Sequence, residues 1–160
     1  MIRTLGVTND QQLKVNFPLE EIKQGQFDWY WVDFVKPDAK EDALLDTFFH
    51  FHPLAIEDCL MRLQRPKIDY YDDYHFLVVH KINEETFEAE EVNLFVSPNF
   101  VVTYHKSSVP EFDVVRNRLA NRPQTWERGS IFVMYQAIDK IVDSYFPTND
   151  TNEEGDIWAE

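Results

Sequence analysis

Two pairs of carboxylates have the type and spacing to do chemistry. Glu57 and Asp58 are adjacent inside an otherwise apolar segment that reads as helix. Asp139 and Asp143 are spaced four apart on the longest helical pattern, so both face one side of it. Like charges at that spacing repel by about a few tenths of a kcal/mol. Oxygen-rich groups of this kind suit a hard cation such as magnesium, which keeps several waters and needs only one or two direct carboxylates. Taken alone, a solvated acidic face is the plainer reading of either pair. His50 and His52, with Cys59 nearby, invite a zinc reading. Residues two apart point to different sides of a helix, however, so a core or helix-terminal role is expected for these histidines. Cys59 lies in an apolar helical context and reads as a buried structural thiol.

Signatures of catalysis are missing. Glycines stand only at positions 6, 25, 129 and 155, and no phosphate-cradling loop can be drawn from them. No Gly-x-Ser-x-Gly elbow occurs. Asp69, Asp72 and Asp73 lie alongside Tyr70, Tyr71 and Tyr74 and read as a polar strand end and turn. The Glu153, Glu154 and Asp156 cluster reads as a solvated tail. A small metal-dependent hydrolase needs a base and a convergent ligand set, and none is recognisable, so the chain is not expected to be an enzyme.

Other segments must position the carboxylates. Residues 13–17 alternate like a strand, and Pro18 opens a short helix stopped by Gly25. Residues 29–35 are aromatic and β-branched and read as a buried strand. Asp38 is a candidate N-cap for a helix with Leu44, Leu45, Phe48 and Phe49 on its apolar face. Pro53 starts a further short helix. Residues 67–71 and 74–82 read as strands, and Phe76, Val78 and His80 share a face of the second. Residues 92–97 and 100–104 flank a Pro98-Asn99 turn as an antiparallel hairpin. Residues 111–119 look helical. Residues 130–146 carry Ile131, Tyr135, Ile138 and Val142 along one stripe. These elements predict an α/β domain over residues 1–146, an α/β/α sandwich whose partly antiparallel mixed sheet is flanked by helices. Residues 147–160 are polar and turn-prone, and are expected to be a disordered tail.

Composition limits the partners. The 160 residues include 29 acidic and 15 basic side chains, for a formal net charge of -14, which repels phosphate backbones and argues against nucleic acid. The same field concentrates cations. Cys59 is the single cysteine, which fits a reducing compartment. The apolar runs are too short to span a bilayer, so this segment is expected to be soluble and to make no membrane contact of its own.

One ordered set of motifs carries more. His52-Pro53-Leu54-Ala55-Ile56-Glu57-Asp58 is followed by Gln64-Arg65-Pro66-Lys67 and Tyr70-Tyr71-Asp72-Asp73-Tyr74. This resembles the signature of the CorA family of magnesium and cobalt transporters. Trp31-Val32-Asp33 resembles the family's early strand, residues 92–96 and 99–103 its later hairpin, and residues 139–146 the helix leading to its stalk.

The resemblance implies a cytosolic sandwich domain at the inner face of the cell membrane. A stalk helix, two membrane helices and a Gly-Met-Asn pore loop would follow, in a pentamer. It also implies regulatory magnesium, or cobalt, held between protomers by soluble-domain carboxylates. Glu57, Asp58 and Asp139 match such positions, and Asp143 is a nearby candidate. The Gly-Met-Asn motif and both membrane helices have no counterpart here, and Pro147 and Gly155 interrupt the place of the stalk. The fragment is therefore expected to carry half-sites and to be a monomer or weak dimer. Two alternatives stay open: a stand-alone soluble relative that binds a partner protein, and the same domain from a zinc transporter.

Overall fold

A computed structural model of the chain describes residues 1–61 and 63–143, without the side chain of Asp143. The expected tail, 147–160, and residues 144–146, the end of the expected last helix, lie outside the described residues. Seven strands form one sheet: β1 (Ile2–Thr8), β2 (Leu13–Val15), β3 (Phe27–Val35), β4 (Lys67–Tyr70), β5 (His75–Ile82), β6 (Ala89–Val96) and β7 (Phe100–His105). Their order is β2-β1-β3-β7-β6-β5-β4. Neighbours pair antiparallel throughout except β3 and β7, which run parallel. The helices are α1 (Ala39–Asp42), α2 (Leu44–Thr47), α3 (Pro53–Leu60), α4 (Pro110–Asn121) and α5 (Gly129–Asp143).

Successive strand residues point to opposite faces, and this alternation divides the core in two. Trp31, Leu94 and Val101 face one layer, where Phe112, Val115 and Leu119 of α4 and Val133, Met134, Ala137 and Ile141 of α5 pack. Val32, Phe95 and Val102, one residue on, face the other layer, with Leu45 of α2 and Ala55 and Cys59 of α3. The predicted sandwich is therefore present, with a mixed, mainly antiparallel sheet between two helical layers. Each large apolar side chain buried in either layer contributes about 1.5–3 kcal/mol.

Three features depart from the sequence reading, the first being that the helix expected after Asp38 is two short ones, α1 and α2. Strand β1 was not anticipated, yet it pairs with both β2 and β3 and buries Leu5 and Val7. Its Gly6 has a steric cause: a Cβ there would stand 2.6 Å from Cδ1 of Phe27. The α5 stripe is also turned. Ile131, Tyr135 and Val142 are exposed, while Val133, Met134, Ala137 and Ile141 meet the sheet.

A buried polar cluster bridges the parallel strands. Asp33 on β3 accepts hydrogen bonds from Nε2 of His105 (2.8 Å) and Oγ1 of Thr103 (2.7 Å), both on β7. Arg116 of α4 completes it with an ion pair to the second Asp33 oxygen, and its guanidinium stacks 4.5 Å over the Trp31 ring. The cluster thus ties α4 to the sheet across that joint.

Candidate metal centre

Helix α3 carries Glu57 and Asp58, and the sequence fixes both of its ends. Pro53 occupies the first turn, and Nδ1 of His52 accepts from the backbone N–H of Leu54 at 3.1 Å, which caps the helix. The expected helix-terminal role of His52 is what the structure shows. The His52 N–H in turn donates to the Tyr74 hydroxyl at 2.8 Å. Phe51, just before, stacks on Phe95 of β6 with centroids 3.8 Å apart. At the other end the Met61 N–H bonds the Glu57 carbonyl. Ala55 and Cys59 face the sheet and are buried, and burial pushes the Cys59 thiol well up, further raised by nearby Glu91 and Asp58.

Glu57 points to solvent. Asp58 does not stand alone: its Oδ2 is 2.6 Å from Nζ of Lys67 at the start of β4. Lys67 also reaches Asp69 at 2.9 Å. These four residues, with Leu54, Tyr70 and Tyr71, line an open cleft of about 480 Å3. Sequence reasoning placed Lys67 in a motif and a strand, and Asp69 at a polar strand end and turn, but neither beside Asp58. The available signal was Asp58 beside an apolar helix face, where a carboxylate needs a partner.

Asp139 is exposed on α5, and Asp143 closes that helix with its side chain outside the described residues. Because α3 covers one face of the sheet and α5 the other, the fold brings Glu57 and Asp58 together but keeps them apart from Asp139. Among the described residues no group of three or more His, Cys, Asp or Glu side chains is placed to hold a metal ion. The oxygen donors of the α3 cleft still fit a hydrated hard cation, which needs few direct ligands, but they supply only part of a site.

The sequence profile of the "CorA-like Mg2+ transporter protein" family matches residues 27–155. The chain belongs to this family. YfjQ of Bacillus subtilis is 48% identical over 147 residues, covering 92% of this chain and 46% of that protein. The cobalt/magnesium transport protein CorA of Thermotoga maritima is 35% identical over 104 residues, covering 62% of this chain and 30% of that one. The chain thus spans less than half the length of either CorA-like relative. The soluble domain of CorA from Methanocaldococcus jannaschii shares the fold with a TM-score of 0.72 at 16% identity, covering 97% of this chain and 61% of that one. The ZntB cytoplasmic domain from Vibrio parahaemolyticus shares it with a TM-score of 0.69 at 14% identity, covering 95% and 62%. The CorA-like family is one of transporters rather than enzymes. Among the described residues no helix is long and apolar enough to cross a membrane.

Proposed function

We propose that this chain is the cytoplasmic domain of a divalent-cation transporter and that it senses magnesium between protomers. Glu57 and Asp58 of one copy would face Asp139 and Asp143 of a neighbour, with cobalt as an alternative ion. The observation that carries this reading is the separation of the two carboxylate groups by the sheet. No single chain can bring them to one ion, whereas neighbouring copies can each present a different face. Carboxylates facing one another across such a joint repel, and a bound divalent ion reverses the sign of that interaction. Binding then favours the packed arrangement by the ion's differential affinity for the packed and splayed states. Glu57, exposed on its helix, suits contact through the ion's waters, and Asp58 supplies the more sheltered oxygen. In the whole protein the assembly is expected to be a pentamer at the cytoplasmic face of the membrane.

The likeness to ZntB keeps zinc as a second reading. The donor set favours magnesium, because carboxylate oxygens suit hard cations and zinc prefers imidazole and thiolate.

The test is a magnesium titration of the chain followed by melting temperature, with sodium chloride matched for ionic strength. A magnesium-specific rise in the millimolar range is expected, with the Asp58→Ala, Asp139→Ala double variant losing it. An equal rise in that variant removes these residues from the sensor.

A further inference from the structure

Lys67 sits where a metal ion would have to go. Its ammonium lies 2.6 Å from Asp58 and 2.9 Å from Asp69, inside the cleft that Glu57 also lines. Lys67 and Asp69 are two apart on β4, so both side chains leave the same face of the strand. The group is only partly sheltered: the side chains of Asp58, Lys67 and Asp69 are 19%, 34% and 38% exposed. The hydrogen bond that Lys67 donates to Asp58, helped by Asp69, holds the lysine above its ordinary basicity. Glu57 has no ion pair among the described residues.

We propose that Lys67 is a built-in competing cation, which must give up Asp58 before a divalent ion can take it and so keeps the site weak. This rests on the reading of Asp58 as a metal ligand. Without metal, the ammonium offsets the repulsion between Asp58 and Asp69 and leaves the cleft stable when empty. When an ion arrives, the flexible four-carbon stem lets the ammonium stay on Asp69 while Asp58 turns to the ion. The lysine is not lost to solvent, so the exchange is reversible at modest cost. Glu57 is free of this competition and can meet the hydrated ion first. A compact ammonium beside a divalent cation also repels it, which lowers affinity further.

The experiment follows backbone amide signals of α3 by NMR during magnesium titration, together with the Lys67 side-chain signals. Lys67→Met keeps the stem and removes the charge, and should bind magnesium about tenfold more tightly than the parent. Asp69→Asn leaves the ammonium only Asp58, and should bind more weakly. In the parent, magnesium should shift the Lys67 side-chain signals as the ammonium leaves Asp58. Equal affinity in parent and Lys67→Met overturns the competition while leaving Asp58 a ligand. Weaker binding by Lys67→Met also overturns it, because the lysine would then support the site. No magnesium-dependent shift of α3 in any of the three chains overturns both this inference and the sensor reading.

Discussion

Asp33 on β3 and His105 on β7 face each other at 2.8 Å, each 2% exposed, across the one parallel joint of the sheet. With Arg116 they form a buried group of charges whose members depend on one another. Asp33→Ala should therefore cost about 3–5 kcal/mol, because Arg116 and His105 lose their shared acceptor. Urea unfolding at neutral pH measures this directly.

The same carboxylate gives the stability a pH signature. Burial opposes its ionisation, but the hydrogen bond and charge of His105, with Arg116 and Thr103, outweigh that, so its pKa lies below the ordinary aspartate value. A depressed folded pKa stabilises fully above the unfolded value, about 4, and the contribution is lost as pH falls through the folded pKa. The stability gap between the parent and Asp33→Asn should narrow as pH falls below about 4. Urea midpoints taken at several pH values test the sign.

Phe51 anchors the entry to the helix that carries Glu57 and Asp58. Phe51→Ala removes its stack on Phe95 and should cost about 3–5 kcal/mol. Amide exchange in α3 should rise more than in α4, which packs on the opposite face of the sheet.

Helix α5 tests which of two apolar stripes is core. Met134→Ala should destabilise by about 2–5 kcal/mol, because that side chain is 1% exposed against the sheet. Ile131→Lys, on the exposed stripe, should change the stability of this chain by less than about 0.5 kcal/mol. Thermal melts of the two variants settle the orientation.

The orientation was not legible because both stripes satisfy a period of 3.6. Ile131, Tyr135, Ile138 and Val142 repeat as well as Val133, Met134, Ala137 and Ile141, and only the sheet decides between them. Ala137 is fully buried in the core between α5 and the sheet, and periodicity alone does not single it out. Strand β1 was missed because Leu5 and Val7 are its only strong alternation, around a glycine demanded by Phe27. The hairpin of β6 and β7, the Asp38 cap and the buried Cys59 were readable, since each depends on local chemistry. Asp38 indeed accepts from the Glu41 N–H at 2.8 Å while Glu41 accepts from the Asp38 N–H at 3.0 Å. Of the candidate site, the carboxylates could be singled out from the sequence, but not their surroundings. Asp58 finds Lys67 nine residues later, across a helix-to-strand crossing that no spacing rule reports.

The parallel joint also sets an order of events while the chain is being made. Strands β1 to β3 pair locally, but β3 meets β7 only when a partner about 70 residues downstream has emerged, since Val35 aligns with His105. At about 5–20 residues per second, the ribosome leaves that edge open for roughly 4–14 s. The waiting edge is the aromatic run from Trp29 to Phe34, the kind of unpaired strand that invites association with other chains. Closing it is the last stitch of the sheet, and the Asp33, His105 and Arg116 cluster is the knot.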